Sequence, residues 1–223
     1  MTAATKRQYE SPRMLQRKSR VVATVKSMLE EMGYEGMTVR EVARRAGVSV
    51  GTLYTNYGGK DALVVAAVDD LLSSLSGTAA EEAVSEGFDA VLAFGEIIGG
   101  RIEAAPGCAD AMTRILFQFA SDDALVEVLF ARSYPFFKSQ LAVARTNGDV
   151  RPEVDVDVVA RHLVGQSWGV VLLWMMGLIA LEDSGRERQR SELMTLVGIA
   201  TDSARKRLEE KLAALGQRAA PIR

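Results

Sequence analysis

The sequence predicts an all-α protein, with a small three-helix domain containing a helix-turn-helix at its amino terminus and a larger helical domain behind it. Three observations predict this fold. Residues 37–60 hold two short helix patterns around a glycine, apolar residues elsewhere recur at three- and four-residue steps, and no segment shows sustained strand alternation. The predicted parts are a basic arm over 1–12, the helix-turn-helix domain over 13–59, a connecting helix over 60–77 and the larger domain over 78–223.

The first predicted helix begins at Pro12, because proline suits the first helical turn, and it ends at Gly33. Its apolar positions recur at helical spacing: Val22, Val25, Leu29 and Met32.

The second predicted helix starts at about Val39, after a capping box made by Thr38 and Glu41. In such a box the hydroxyl accepts from a free helix N–H and the carboxylate reaches back to the cap. Gly47 follows where a left-handed residue would end the helix.

The third predicted helix runs from about Val50 to Tyr57, with Ser49 as its N-cap and two glycines after it. Its spacing, with that of the second helix, places an apolar set inward: Val42, Ala43, Ala46, Val48, Leu53 and Tyr57. The outward set is Val50, Thr52, Tyr54, Thr55 and Asn56. Hydroxyls and amides can bond phosphates or base edges, and small apolar groups can touch a thymine methyl, so this helix suits a DNA major groove.

Charge is unevenly distributed along the chain. Residues 1–60 carry 11 Lys and Arg against 5 Asp and Glu, a balance of +6, whereas the remaining residues carry 16 against 24, a balance of -8. Positive charge around the helix-turn-helix is expected of a module that contacts DNA, and Lys60 stands where a cation could meet a phosphate. An ordinary helical hairpin with a solvated basic face is the alternative interpretation.

Sequence features also bound the compartment and the chemistry. The single cysteine, Cys108, excludes an internal disulfide, and the basic amino terminus is not followed by the apolar stretch of a signal peptide, so we expect a cytoplasmic protein. With one histidine, His162, and one cysteine, the chain is not expected to hold a metal or a cofactor.

Five helices are predicted in the larger domain: 79–99, 108–119, 122–145, 155–181 and 187–215, with Pro135 kinking or splitting the third. An apolar stripe from Leu63 to Leu75 predicts that the connecting helix docks on this domain, and Ser76 to Thr78 mark the junction. Leu163 to Leu181 lack charge over nineteen positions, which meets the length of a membrane span. We favour a helix buried in protein, because polar residues and glycines interrupt the segment.

The last two predicted helices carry faces that could join two copies of the chain. Small and apolar residues on roughly one line would let a second helix approach closely: Gly165, Gly169, Leu173, Met176 and Gly177. The last helix adds its own stripe, which includes Val197, Ala200, Ala204 and Leu208. Two such helices from each chain would form a four-helix interface in a homodimer.

The run TVREVARRAGVSVGTLYTNYGGKDAL resembles the TetR family of one-component bacterial transcriptional regulators. Its Ala-Gly-Val-Ser turn, Gly-Thr-Leu-Tyr helix start and following lysine stand in the family's register, although Asn56-Tyr57 replaces the commoner His-Phe. The resemblance covers residues 13–75 closely and the rest loosely. It implies an all-helical homodimer that binds a palindromic operator in double-stranded DNA, and family precedent favours repression.

The resemblance also implies roles for individual residues. Thr38 and Arg40 would contact phosphates, as would Tyr54, Tyr57 and Lys60. Val50, Thr52 and Thr55 would lie nearest the bases. The larger domain would accept a small-molecule effector that alters the spacing of the two heads. Candidate pocket residues are Phe88, Phe94, Met112, Phe117, Phe119, Phe130, Phe137, Trp168 and Met175, although such stripes are more often plain core. Few charges lie among them, which favours a lipophilic effector over an anionic one.

Two rival functions are weighed against this one. Gly165-Gln166-Ser167-Trp168-Gly169 matches the nucleophile elbow of α/β hydrolases, but that elbow needs a strand-to-helix turn and this segment reads as mid-helix. A helical ligand-binding or scaffold dimer that does not bind DNA is the more serious alternative.

Overall fold

The computed structural model describes residues 12–82, 85–118, 130 and 133–216, with the backbone alone at 72, 74–82, 112, 113 and 115–118. This part of the chain forms ten helices: α1 Pro12–Gly36, α2 Val39–Ala46, α3 Val50–Tyr57, α4 Lys60–Glu82, α5 Phe88–Ala104, α6 Pro106–Gln118, α7 Ser133–Thr146, α8 Val156–Met175, α9 Leu181–Ile199 and α10 Asp202–Ala214. The fold is all-α, as predicted.

The caps of α2 and α3 confirm the predicted bounds of both helices. The hydroxyl of Thr38 accepts from the Glu41 N–H at 3.2 Å, and that of Ser49 accepts from the Thr52 N–H at 3.0 Å. Gly47, with φ 64°, ends α2 in the left-handed region that favours glycine. The expected second half of the capping box is wrong, because the Glu41 carboxylate accepts from Arg44 and Arg45 instead.

The amino-terminal helices share one core. Its buried residues are Val21, Val22, Val25, Met28, Leu29, Met37, Val42, Ala43, Ala46 and Leu53, and Val48 and Tyr57 pack against it half-buried. The inward face predicted for α2 and α3 is therefore confirmed. The predicted end of the first helix at Gly33 corresponds to a break in α1, where φ is 68° before a last turn that reaches Gly36.

The connecting helix α4 joins this core through Leu63, Val64, Ala67 and Val68. It continues helically to Glu82, through the predicted junction at residues 76–78. A single helical glycine costs only about 1 kcal/mol, so Gly77 does not stop a helix that is already packed over several turns.

The helices of the larger domain differ from prediction where tertiary contacts decide their ends. The helix expected over 79–99 instead begins at Phe88, after Gly87 with φ 64°. Pro135 lies in the first turn of α7, where proline is tolerated, and most of the residues before it in the predicted helix 122–145 fall outside the described ranges. Helix α8 ends at Met175, and Gly177 follows with φ 70°.

The single helix predicted over 187–215 is wrong, since the chain breaks into α9 and α10 at Ala200. There the backbone is extended and forms a bridge to Val150, and the Thr201 N–H donates to the Asp149 carbonyl at 2.8 Å. Among the described helices, none has the combination of length and apolar content that crossing a bilayer demands.

Candidate nucleic-acid interface and apolar cavity

Helix α3 presents a polar face to solvent. Tyr54 is 53% exposed, Thr55 and Asn56 are exposed, and Leu53 on the opposite side is buried. Val50 and Thr52 are half-buried, and the Thr52 hydroxyl lies 2.8 Å from the Ser49 hydroxyl. The outward placement expected for α3 thus holds for its second half, while its first turn is partly occupied by its own cap.

Helix α2 supplies a rigid support beside α3. The Arg44 and Arg45 guanidiniums bind the Glu41 carboxylate and lower its pKa to about 2. Arg45 also pairs with Glu31 on α1 at 2.6 Å, which ties the two helices together. Arg40, by contrast, is exposed in the first turn of α2, next to the exposed cap Thr38.

Basic residues of α1 share a groove with α3, a feature that the sequence analysis missed. Arg17 and Lys18 line this groove together with Thr52, Thr55, Asn56 and Tyr57. Four basic residues between positions 13 and 20 could have indicated this groove from the sequence. All four are exposed on α1. A polyanion lying along α3 would therefore meet cations from a second helix.

Lys60 is held by an aromatic ring from α1. Its Nζ lies 4.1 Å from the centroid of Tyr34, a cation–π contact that fixes the ammonium at the start of α4. The Tyr34 hydroxyl in turn donates to Asp61. Burial and that hydrogen bond raise the pKa of Tyr34 to about 12. The ring contact could not be predicted from the local motif, since Tyr34 lies outside it.

The larger domain contains an apolar cavity that is partly open to solvent and has a free volume of about 50 Å³. A ligand larger than a few water molecules would have to displace part of its lining. It lies among α4, α5, α6, α8 and α9, with one residue from α7, and its lining is Val68, Leu71, Phe94, Gly95, Ile98, Arg101, Ile102, Ala105, Cys108, Ala109, Ser133, Ser167, Trp168, Val171 and Arg188. Burial raises the pKa of the Cys108 thiol to about 12, so this lining group is neutral.

The predicted pocket residues divide between this lining and the core. Phe94 and Trp168 line the cavity. Phe88 and Phe137 are instead buried in the core, Phe137 with its ring centroid 5.2 Å from that of Phe94, and Phe130 packs against this core. Met175 is half-buried and does not contribute to the lining. The side chains of Met112 and Phe117, and the whole of Phe119, lie outside the described part of the chain.

Contacts of α6 join the cavity wall to the helix-turn-helix. The Glu30 carboxylate on α1 accepts from the Gly107 and Cys108 N–H groups, each at 3.0 Å, and so caps the start of α6. Gly107 is packed so closely on α1 that an added Cβ would lie 2.5 Å from the Leu29 carbonyl oxygen. Cys108 also lines the cavity. A movement of this turn at the cavity would therefore change the contacts of α1 directly.

A second surface of the larger domain exposes apolar side chains. On α8, Leu173 is 39% exposed, and Cβ atoms added at Gly165 or Gly169 would meet no atom within 4 Å. Met176, which follows α8 on the predicted line, is 64% exposed, and Met194 on α9, which the sequence analysis did not single out, is 60% exposed. Apolar side chains exposed on adjacent helices favour an interaction site there, where they form one patch. We call this surface the α8/α9 face.

Three predicted interface residues do not belong to the α8/α9 face. Ala200, Ala204 and Leu208 are buried within the chain, because the break at Ala200 folds α10 back onto the larger domain. This part of the interface prediction is corrected accordingly. Val197 is half-buried on α9, and Gly177 is exposed just after α8.

The glycine-flanked serine does not form a nucleophile elbow. It lies within α8, where the Ser167 hydroxyl donates to the Leu163 carbonyl at 2.9 Å, one turn back. An elbow needs the serine on a strand-to-helix turn, and this one is in a continuous helix.

Comparisons with known proteins agree with this architecture. The model of the family "Bacterial regulatory proteins, tetR family" matches residues 23–67. This range covers the second half of α1, all of α2 and α3, and the start of α4. The transcriptional repressor KstR of Rhodococcus jostii is 30% identical over 147 residues, covering 60% of this chain and 69% of KstR.

Solved structures share the fold beyond the helix-turn-helix. FadR of Thermus thermophilus, a TetR-family transcriptional repressor solved in complex with lauroyl-CoA, superposes with a TM-score of 0.66 at 18% identity, covering 81% of this chain and 93% of that one. The TetR family protein CprB of S. coelicolor A3(2) superposes with a TM-score of 0.60 at 20% identity, covering 91% and 99%.

Proposed function

The chain belongs to the tetR family of bacterial regulatory proteins, and from this premise we propose that it is a homodimeric repressor that binds a palindromic DNA operator and is released by a small, largely apolar effector. The observation that carries the proposal is the exposed polar face of α3, together with cations on α1, α2 and α4. The repressing sense of the regulation is supported by KstR, which is a repressor.

The proposed division of contacts follows from exposure. Tyr54, Thr55 and Asn56 project from α3. We assign Thr55 and Asn56 to contacts with the bases. Val50 and Thr52, which are half-buried, would lie at the edge of the base sequence that α3 reads. Arg40, Lys60 and the groove residue Arg17 are cations placed to meet phosphates on either side. Ser49 and Thr38 contribute chiefly as caps that set the two helices at a fixed angle.

Dimerisation is supported by the α8/α9 face. A palindromic site requires two reading helices related by a twofold axis, one helical turn of DNA or a multiple of it apart. The close approach that Gly165 and Gly169 permit, together with exposed Leu173 and Met194, would let α8 and α9 pair with their copies. Burial of these apolar groups would provide the free energy of association.

Release by an effector is supported by the position of the cavity. Residues of α4 and α6 line it, and both helices contact the helix-turn-helix domain directly, α4 by packing on α1 and α6 through Glu30. A ligand that binds one arrangement of α6 better than another would shift the spacing of the reading heads. The T. thermophilus neighbour, solved with lauroyl-CoA, is a ligand-binding example of the same fold.

The proposal is tested by selecting fragments of the source genome that the protein binds and measuring mobility shifts at several salt concentrations. We expect binding to selected fragments at least 1000-fold tighter than to bulk DNA, on the order of specific DNA-binding proteins, and a steep loss with salt. Tyr54→Ala and Lys60→Ala should weaken every selected fragment, and Thr55→Ala should change the order of preference among them.

Lys206→Ala provides the matched control, because it removes an exposed cation from α10, far from α3 in the chain, and should leave binding unchanged. Binding no tighter to any fragment than to bulk DNA would refute the proposal and favour a ligand-binding or scaffold dimer.

A further inference from the structure

A buried arginine faces the apolar cavity. Arg188 on α9 is 2% exposed and lines the cavity, and its Nε has no hydrogen-bond partner within the described part of the chain. A guanidinium keeps its proton at neutral pH even where burial lowers its pKa, as it does here. An uncompensated buried charge is costly, so a group that pairs with it would be bound strongly.

The lining offers Arg188 no anion. Among the described residues of the lining, Arg101 is the other charged one, a second cation, and none carries a carboxylate. The remaining polar side-chain groups are the hydroxyls of Ser133 and Ser167, the indole N–H of Trp168 and the neutral Cys108 thiol. Of these, Ser167 already donates to a backbone carbonyl. The described part of the cavity is therefore apolar in its walls and positive at Arg188.

The carboxyl of Glu192 does not neutralise Arg188. Glu192 lies one turn further along α9, is 1% exposed and faces Gly95. Neither of its carboxylate oxygens has a hydrogen-bond partner among the residues that the structure describes. Burial raises the pKa of Glu192 to about 8, Glu96 adds to that rise and Arg188 opposes it. Burial thus favours the protonated form of Glu192, which is uncharged and does not balance the charge of Arg188.

We propose that this cavity binds an apolar organic acid, whose anionic group pairs with Arg188 while its hydrocarbon body lies against Phe94, Trp168 and the aliphatic wall. The inference rests on the proposed function, in which the cavity is the effector site, and names the chemistry of that effector. The planar fork of a guanidinium matches a carboxylate with two parallel hydrogen bonds, which favours this anion over a neutral polar group. This proposal keeps the expected lipophilic body of the effector and adds an anionic group to it.

Two fluorescent probes with the same ring system test this assignment. 8-Anilino-1-naphthalenesulfonate carries an anionic group, and N-phenyl-1-naphthylamine lacks it. Both are titrated into the wild-type protein, into Arg188→Met and into the control Arg186→Met, which removes a partly exposed arginine from the same helix. The sulfonate stands in for the carboxylate of the effector.

We expect Arg188→Met to weaken binding of the sulfonate at least tenfold, in line with the loss of a hydrogen-bonded ion pair, and to change the affinity of the neutral amine less than twofold. Arg186→Met should change neither. If Arg188→Met lost its helical circular dichroism, Arg188→Lys and Arg188→Gln would give the same comparison, with the sulfonate retained by lysine and lost by glutamine.

Equal affinity of wild-type protein and Arg188→Met for the sulfonate would overturn the assignment, as would tighter binding of the neutral amine by the wild-type protein. The titrations contain no DNA. A failure to bind DNA would therefore refute the proposed function without changing this result, and loss of the arginine effect would leave DNA binding untouched.

Discussion

Arg188 and Glu192 are two buried ionisable residues one turn apart on α9. Both lie on the side of α9 that packs on α5. Gly95 of α5 faces Glu192 there, and a Cβ added at Gly95 would lie 2.1 Å from a Glu192 oxygen, so a larger residue would fill the space that this carboxyl occupies. A carboxyl buried without a partner favours its protonated form, because the charged form loses hydration. The folded state therefore holds a proton that the unfolded chain releases.

The pH dependence of the free energy of unfolding tests whether Glu192 holds this proton. The pKa of Glu192 in the folded state, about 8, is above its ordinary value of 4.5. Protonation of Glu192 therefore stabilises the folded state fully below about pH 4.5, and this stabilisation is lost as the pH rises to about 8. Glu192→Gln removes this dependence. Relative to wild type, its free energy of unfolding should rise between pH 5 and 8 by up to about 1.4 kcal/mol per pH unit, measured by urea denaturation. The exposed Glu209→Gln should show no such trend, and a parallel pH profile for Glu192→Gln and wild type would contradict the assignment.

Local residues of the helix-turn-helix were predictable, and buried charges were not. Thr38, Gly47 and Ser49 act on groups within a few residues of themselves, so the sequence alone determines their roles. Nothing near Arg188 in the chain indicates burial, because its surroundings come from α5 and the cavity. Lys60 shows both cases, since its position follows from the motif and its contact with Tyr34 does not.

At the scale of elements, the close packing of α6 on α1 is the link between cavity and reading helix. Gly107 is the point of contact, and α1 also caps the first turn of α6 through Glu30. Cores and tight helix contacts do not deform smoothly, so a displacement of α6 should be passed to α1 rather than absorbed.

Gly107→Ala tests this contact. Its Cβ would lie 2.5 Å from a backbone oxygen of α1, which cannot move without shifting the helix, so we expect a loss of about 1–3 kcal/mol in the free energy of unfolding, typical of overpacking. Gly100→Ala is the matched control, because Gly100 is helical and exposed with open space around it, and should gain up to about 1 kcal/mol. Chemical denaturation followed by circular dichroism measures both. Equal stability of the two variants would show that α6 does not pack on α1 in this way.

Helices were predictable where caps and periodicity define them and were wrong where distant contacts define them. The bounds of α2 and α3 follow from residues 38–58 alone. The separation of α9 from α10 depends on the bridge between Val150 and Ala200, fifty positions apart in the chain, and the apolar stripe that crosses Ala200 gives no sign of it. For the same reason the sequence assigned Ala204 and Leu208 to an interface, although they face their own chain.

For the whole molecule, the α8/α9 face decides whether two reading heads act together. Leu173→Glu places a charge in the middle of this face, where pairing would remove it from water. We expect wild-type protein to sediment at twice 24.2 kDa and Leu173→Glu at the mass of one chain. Ala142→Glu adds the same charge at an exposed position on α7 and should remain dimeric. A dimeric Leu173→Glu would place the interface elsewhere.

The overall architecture was predictable because it follows from helical periodicity and from one motif with strict spacing. The location of the cavity was predicted only in part, since Phe94 and Trp168 line it whereas Phe88 and Phe137 do not. Apolar helix faces give the same sequence pattern whether they surround a core or a cavity, and only the packing of several helices distinguishes the two.

Hydroxyl-radical footprinting of the protein on a selected genomic fragment tests most directly whether two copies of α3 read one duplex. We expect two protected segments in an inverted repeat, with centres separated by about one helical turn or a whole multiple of it, and both lost together in Leu173→Glu. A single protected segment, or uniform protection that follows DNA length rather than sequence, would contradict the account.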